Sequence, residues 1–536
     1  MPSAFDAIVI GAGANGLVAA AALGRAGLSV LVLERHEVVG GLGRIEEFAP
    51  GFRAAPLACD CGWLPPIVAR GLGLDGRAGL ERAHPDAAIT VAVAPGEFLS
   101  LSPDVARAAE AIRRYSARDA ERWPAFAARL GRLAGFLEAL YQTPSPDVDA
   151  SGPRDVLPLL GLAMRLRALG REEMTEFLRV MPMSVQDLLE EWFESEPLRA
   201  AVATGGVEDL RQGPRSGGTA FALLHHLVGA PAGAVRGRGW WRADPDAFTA
   251  AVEAGARRHG VTIRAGAPVA RVLVRDDAVA GVALATGEEI AARRVLSTAD
   301  PARTFLGLID PVWLDPEFLH AVRQIKFRGC AAVVLYALDA LPDALGLATG
   351  SAAARPGPLA GVVSLTPTVT ALERAADAAK YGRVSERPHV EISAPTLRWP
   401  ALAPDGKHVL VARAQYAPYR LCDGDGWDAP RRDALADAVT AAIEAALPGF
   451  TSRVLHRVAL SPRDIEERYN LTEGAATHGE ITLDQILFMR PVAGWGRYAT
   501  PIDGLYLGGA GAHPGPGVLG GPGWLAARRL LGDRRR

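Results

Sequence analysis

Residues 6–34 constrain the fold more than any other stretch of the chain. Positions 6–10 form a short apolar run, and Gly11-Ala12-Gly13-Ala14-Asn15-Gly16 is a glycine turn. Positions 17–26 are alanine-rich and helical, and 29–34 (SVLVLE) are a second apolar run that stops at an acid. Gly27 falls where the glycine that follows a helix belongs. An uninterrupted apolar strand is buried on both faces, the pattern of a parallel sheet. Strand, turn, helix and strand therefore make one βαβ unit. In such a unit Gly11 permits the turn, Gly13 lets a pyrophosphate approach the backbone, and Gly16 lets helix and strand pack closely. The helix start, expected at Leu17, turns its partial positive charge toward the phosphates. Glu34, 23 residues after Gly11, can accept hydrogen bonds from an adenosine ribose. Its charge would repel a 2′-phosphate, which disfavours an NADP adenosine.

Composition removes several other classes. With 536 residues, 49% of them hydrophobic and 22% charged, the chain can bury a large core and is not a disordered protein. The net charge of -2 argues against nucleic acid as a partner. Four cysteines, at 59, 61, 330 and 422, cannot make a disulfide scaffold and suit a reducing compartment. No basic leader precedes the first strand and no apolar run reaches spanning length, so a cytoplasmic protein is expected, with membrane contact at most peripheral. Positions 155–170 (DVLPLLGLAMRLRALG) read either as a helix with one face in the core or as one that docks on a membrane surface. No metal site is expected.

Farther along, 86–235 reads as mainly helical, with helices over 104–115, 120–141 and 172–193 and a loop over 144–153. An α/β pattern returns at 236–310. Asp244-Pro245 is expected to open a helix that runs to His259, followed by a strand at 261–264. An antiparallel meander over 269–274, 278–284 and 288–292 precedes a strand at 295–298. Positions 311–494 mix strands (331–336, 408–414) with a helix (431–446). The chain closes with a strand at 505–507, a Gly/Pro loop and a helix over 518–531. The fold class is α/β: a Rossmann-like, glutathione-reductase-type dinucleotide domain with an inserted α+β substrate domain. Its nucleotide part is expected from 1–85, 236–310 and 495–536, and its substrate part from 86–235 and 311–494.

The cofactor class follows from two further anion sites. Gly40, Gly41 and Gly43 place a second glycine cluster directly after the ribose acid. The run Gly508-Gly509-Ala510-Gly511-Ala512-His513-Pro514-Gly515-Pro516-Gly517 before the last helix offers another helix N-terminus, able to stabilise negative charge on a reduced flavin. Anion sites at both ends of the chain suit FAD better than NAD. The pieces IVIGAGANGLVAA, ERHEVVGG and GLYLGGAGAHPGPGVLGGPGWLAAR resemble the phytoene-desaturase-like branch of the FAD-dependent amine oxidase superfamily. GTAFALLHH, LSTADPARTFL, APDGKHVLVARAQYAPY and LTEGAATHGEITLDQILFMRP extend that resemblance over most of 6–531. It implies non-covalent FAD held by Gly11, Gly13, Gly16, Glu34 and Arg35, with Gly40, Gly41 and Arg44 along the cofactor path. Val269 would lie at the adenine, and Gly509, Gly517 and Val518 near the ribityl chain and flavin ring. The chain departs from that family at Trp241-Arg242-Ala243-Asp244, at Leu42 after the paired glycines, and at Pro516 in the closing loop.

Catalytic candidates are few. His513, in the loop expected at the flavin edge, could act as acid or base, or could hydrogen-bond locally to shape the loop. His478 and the pair His225-His226 match family positions but suit a buried structural role equally well. Trp240-Trp241 suits a pocket wall or plain packing. Lysine occurs only at 326, 380 and 407, and Lys326 alone precedes a suitable strand for a residue at flavin N5. Cys59 and Cys61 are spaced too closely for an unstrained redox pair. The expected activity is FAD-dependent hydride removal from a C–H bond of a small apolar molecule, as in desaturases. The alternatives are an amine or amino-acid oxidase, and a non-catalytic FAD-binding scaffold. The electron acceptor (O2, a quinone or another) stays open.

Overall fold

The computed structural model describes residues 5–58, 60–76, 79–146, 153–342, 358–424 and 426–533. Its first layer is a five-stranded sheet in the order Leu505–Leu507, Val295–Ser297, Ala7–Ile10, Val30–Leu33, Thr262–Arg264. All four pairings are parallel, with Ile8 opposite Leu31 and Val9 opposite Leu296. Ala7–Ile10 and Val30–Leu33 are buried throughout, as their unbroken apolar runs require. Strands from three distant stretches thus share one sheet, and ligands of such sheets lie at the carboxyl ends of the strands. The meander forms as expected from Val269–Arg275, Ala278–Leu284 and Glu289–Ala291. Asp276 and Asp277, both with positive φ, make its first turn.

A second sheet has seven strands in the order Val454–Leu460, Ala331–Leu338, His408–Gln415, His389–Ser393, Val363–Ser364, Ile89–Ala94, Glu97–Leu101. Helix Ala429–Ala446 buries Leu435, Val439 and Ile443 in the core that covers one of its faces. A helical cluster built on Ala117–Tyr141, Val185–Trp192, Glu196–Val207 and Thr219–His226 forms a further core.

Several local expectations need correction. The first helix begins at Ala14 with Gly13 as its N-cap, three residues earlier than expected. The last begins at Gly521, not 518, because Val518 still runs beside Trp63: Trp63 N donates to the Gly517 carbonyl (2.8 Å) and Leu519 N to that of Trp63 (2.7 Å). The 172–193 stretch is two helices, Gly170–Val180 and Val185–Trp192. Pro182 cannot continue the first, and the Ser184 side chain caps the second by accepting from Asp187 N at 3.0 Å. The helix expected to open at Asp244-Pro245 opens at Ala247. Within 86–235 the hairpin Ile89–Ala94/Glu97–Leu101 joins the second sheet; its Pro95-Gly96 turn was the signal overlooked. Part of the 144–153 loop lies outside the described residues. Helix Pro153–Ala168 packs Leu162 and Leu166 against the helical core while Leu160 and Met164 are exposed.

Candidate functional site

A cleft of about 820 Å³ runs between the two sheets, from the glycine turn to the 515–520 loop. That volume is in the range of cofactor and small-molecule sites (~300–1,000 Å³). At one end the turn and the second glycine cluster touch. A Cβ on Gly41 would stand 2.9 Å from the Gly13 Cα, and one on Gly16 would stand 1.9 Å from the Gly11 carbonyl oxygen. Side chains at either place would therefore fill the cradle or push the helix off the turn. Gly11, Gly13, Gly40 and Gly41 line the cleft. Gly16 does not; inside the first helix, it allows the close packing expected of it. Asn15 Oδ1, at the helix start and in the cleft wall, is buried with no partner among the described residues. A backbone cradle and a helix N-terminus fit a pyrophosphate.

Glu34 is buried, and its carboxylate is already engaged: Oε2 accepts from Ala12 N (2.8 Å) and Oε1 from His36 N (3.0 Å). It therefore pins the glycine turn as well as facing the cleft. Each carboxylate oxygen has a second lone pair for a ribose hydroxyl. Replacing Glu34 by Ala is expected to weaken FAD binding 10–100-fold, since a charge-assisted bond contributes about 1.5–3 kcal/mol. Titrating apoprotein with FAD checks this, and an unchanged affinity removes the ribose assignment. Arg35 and Val269 also line the cleft. The backbone of 264–267 runs along 34–36, with Ala267 N on the Glu34 carbonyl (2.8 Å) and Gly266 N on that of His36 (2.9 Å). Arg44 turns away: it pairs with Glu46 (2.6 Å), lies over the Tyr469 ring, and is not part of the cleft wall. Leu42 faces the cleft instead.

At the other end, Gly517 and Val518 line the cleft, while Gly509 packs against the Thr298 carbonyl outside it. His225 fixes this loop. Its Nε2 lies 3.0 Å from the Pro516 carbonyl and its Nδ1 2.8 Å from the Tyr141 hydroxyl. The carbonyl can only accept, so Nε2 donates; with burial keeping the ring neutral, Nδ1 is then the acceptor of the Tyr141 hydroxyl. Burial lowers its pKa to about 3. His226 bonds the Gly205 carbonyl through Nδ1 (2.8 Å).

The two catalytic candidates separate. His513 is wholly buried, with Nε2 on the Thr143 carbonyl (3.1 Å) and its pKa lowered by burial to about 4. It is not in the cleft wall; its position matches the local, loop-shaping reading. His478 is in that wall, and its Nδ1 has no partner among the described residues. Lys326 pairs with Asp484 (2.5 Å) away from the cleft. Cys61 lines the cleft as a free thiol whose pKa burial raises to about 11, and Cys330 is likewise pushed up. Both stay protonated, which disfavours dithiol chemistry; Cys59 lies outside the described residues.

Sequence reasoning missed an ionic wall on the substrate side. Arg236 bridges Glu208 and Glu391, Arg238 bridges Asp60 and Glu208, and Arg413 bonds Asp209 and Glu208. All seven line the cleft. The arginines hold Glu208 well below the usual carboxylate range against the burial that opposes this, and Glu391 is lowered in the same way. The arginines thus favour the charged form of both buried glutamates. Trp240 and Trp241 stand beside it, with Trp241 stacked on Phe248 at 5.9 Å and Arg398 over Trp240 at 4.8 Å. Glu391 and Arg413 are charged residues flanked by apolar ones inside the strands HVEIS and HVLVARAQ, and that misfit was the available signal.

Comparison with known proteins gives a consistent picture. Residues 106–521 match the family described as flavin containing amine oxidoreductase, and 9–63 match an NAD(P)-binding Rossmann-like domain. A rat protein called pyridine nucleotide-disulfide oxidoreductase domain-containing protein 2 is 34% identical, over 99% of this chain and 94% of its own. A limonene dehydrogenase polypeptide of Castellaniella defragrans is 26% identical, over 98% and 94%. The structure of cyclohexylamine oxidase from Brevibacterium oxydans superposes with a TM-score of 0.58 at 17% identity, covering 100% of both chains. FAD is the cofactor of this fold and family, and the cleft fits it. Among the described residues no helix is long and apolar enough to cross a membrane, and no cluster of His, Cys, Asp and Glu could hold a metal ion.

Proposed function

Because the chain belongs to the flavin containing amine oxidoreductase family, we propose that it is a dehydrogenase that removes a hydride from a C–H bond of a small molecule bound between the FAD site and the ionic wall. When bound, FAD supplies the hydride acceptor. The protein's own part is to bind, orient and exclude water. Gly13, Gly41 and the first helix hold the pyrophosphate, Glu34 the ribose, and the His225-pinned loop the flavin end. Trp63, Trp240 and Val362 give the remaining wall an apolar surface for the body of the substrate. Of the two candidate histidines, His478 alone lines the cleft and keeps the role of moving a proton. The observation that carries the reading is one continuous cleft joining the glycine cradle to the second sheet. Desaturation of a C–C bond is the first reading, supported by similarity to a dehydrogenase named for an apolar terpene.

The ionic wall favours a second reading, oxidation at a C–N bond. Asp60, Asp209, Arg238 and Arg413 keep part of their side chains exposed, and a wholly hydrocarbon substrate against them would strip hydration that a charged substrate group could replace. Four carboxylates against three guanidiniums leave room for one cationic group. The electron acceptor is O2, a quinone or another carrier.

An anaerobic screen of the FAD-loaded protein separates the readings. Flavin absorbance near ~450 nm is expected to bleach with a terpenoid or other alkene precursor under the first, and with amines under the second. Full absorbance with every candidate would leave a non-catalytic flavoprotein.

A further inference from the structure

Behind the 515–520 loop lies a buried cation without a carboxylate partner. Arg490 is 3% exposed. Its five N–H groups all donate to backbone carbonyls: Nε to Ala510 (2.9 Å), Nη1 to Glu480 (3.2 Å) and Gln485 (3.0 Å), Nη2 to Thr477 (2.6 Å) and Gly479 (3.1 Å). The titratable group that acts on it among the described residues is the Tyr141 phenol, not a carboxylate. The Glu480 side chain pairs with Arg328 instead. Asp300, in the same region, accepts from Thr472 and from Arg303 N.

The carbonyls saturate the donors of Arg490 but leave its charge uncancelled. Burial lowers its pKa only to about 10, so the charge persists at neutral pH. It opposes protonation of His225 and His513 around it, and of His478, where the Asp300 carboxylate in the cleft wall acts more strongly in the other direction. Three of its neighbours, Thr477, Ala510 and Gly515, line the cleft. A Cβ on Gly515 would lie 3.6 Å from Arg490 Nε. The guanidinium therefore sits one backbone layer behind the 515–520 end of the cleft.

We propose that Arg490 is a positioning residue of electrostatic kind, which makes this end of the cleft positive and so favours the reduced form of bound FAD. A hydride brings one hydrogen, two electrons and one net negative charge to the ring. A fixed cation in a region of low polarity stabilises that charge more than it stabilises the neutral oxidised ring. The inference rests on the 515–520 loop receiving the flavin ring, and it holds whichever C–H bond is oxidised.

The test is the midpoint potential of FAD in the full-length loaded protein, with no substrate needed. Arg490→Met is expected to lower the ratio of reduced to oxidised flavin at least tenfold, about 30 mV for a two-electron couple. Arg490→Lys, which keeps the charge and loses the fork, is expected to recover most of that shift. A folded, FAD-loaded Arg490→Met protein with the wild-type potential overturns the proposal. Should neither variant fold, wild-type protein decides: it must bind reduced FAD more tightly than oxidised FAD, and equal or reversed affinities overturn the proposal. Failure of the wild type to take up FAD at all would instead overturn the cofactor site.

Discussion

Replacing Arg236 by Met is expected to remove about 3–5 kcal/mol of folding stability, the loss typical of breaking a buried ion pair from one side. Arg236 is 2% exposed and bonds Glu208, Glu391 and Thr204 Oγ1 (3.2 Å). Without it, Glu208 still has Arg238 and Arg413, but Glu391 keeps only the more distant Arg238 (3.7 Å) and the buried His389 ring (3.9 Å). A carboxylate inside the second sheet would then be nearly unpaired, and it must either take up a proton or admit water. Met preserves much of the stem's packing, so the loss reports the charge more than a void. The exposed pair Arg118–Glu194 gives the contrast: Arg118→Ala should stay near wild type. Urea unfolding of both variants checks the prediction. A loss for Arg236→Met below about 1 kcal/mol would mean that the wall is hydrated and adaptable, and the case for a charged substrate group would weaken with it.

The nucleotide half of the fold was legible because each local signal has one physical solution. An apolar run between glycines must be a doubly buried strand, and a glycine turn ending in a helix must leave amides pointing outward. The cradle, Glu34 and the convergence of three chain stretches followed from residues close in sequence. The substrate half was less legible because its site is assembled from far-apart residues: Asp60, Glu208, Arg236, Glu391 and Arg413, three of them in loops or at a helix end, meet only in the tertiary fold. No periodicity encodes such a meeting; only the presence of charge within apolar strands hints at it. His513 shows the opposite error. Its place in a glycine-rich loop suggested access to the flavin, yet the same lack of neighbouring side chains lets the ring sink to the end of helix Ala117–Tyr141. Arg44 drew notice from its distance to the paired glycines, but Glu46 two residues on supplied a nearer partner.

Acid is expected to unfold this protein early, because three buried histidines refuse a proton. Burial holds His225 at about 3 and His389 and His513 at about 4. Their surroundings explain why: both His225 nitrogens are engaged, His389 Nδ1 is bonded to Thr366 Oγ1 (2.8 Å) with burial outweighing Glu391 at 3.9 Å, and His513 faces backbone carbonyls and no anion. In the unfolded chain each titrates near ~6.5. Between those values the unfolded state binds protons that the folded state does not, so stability falls as pH falls. Each histidine contributes a slope of about 1.4 kcal/mol per pH unit. Glu480 acts in the opposite sense: burial raises it above the ordinary carboxylate range despite Arg328, so its protonation in the fold offsets part of the loss in mild acid. The net slope between pH 6 and 5 is therefore expected at about 2–4 kcal/mol per unit. Urea midpoints measured across pH 5–7 test this, and His389→Gln, which still offers Thr366 a partner, should remove about one proton's worth of slope. A flat profile over that range would show that these rings reach water and protonate without unfolding, and the rigid His225 clamp on the 515–520 loop would have to be abandoned.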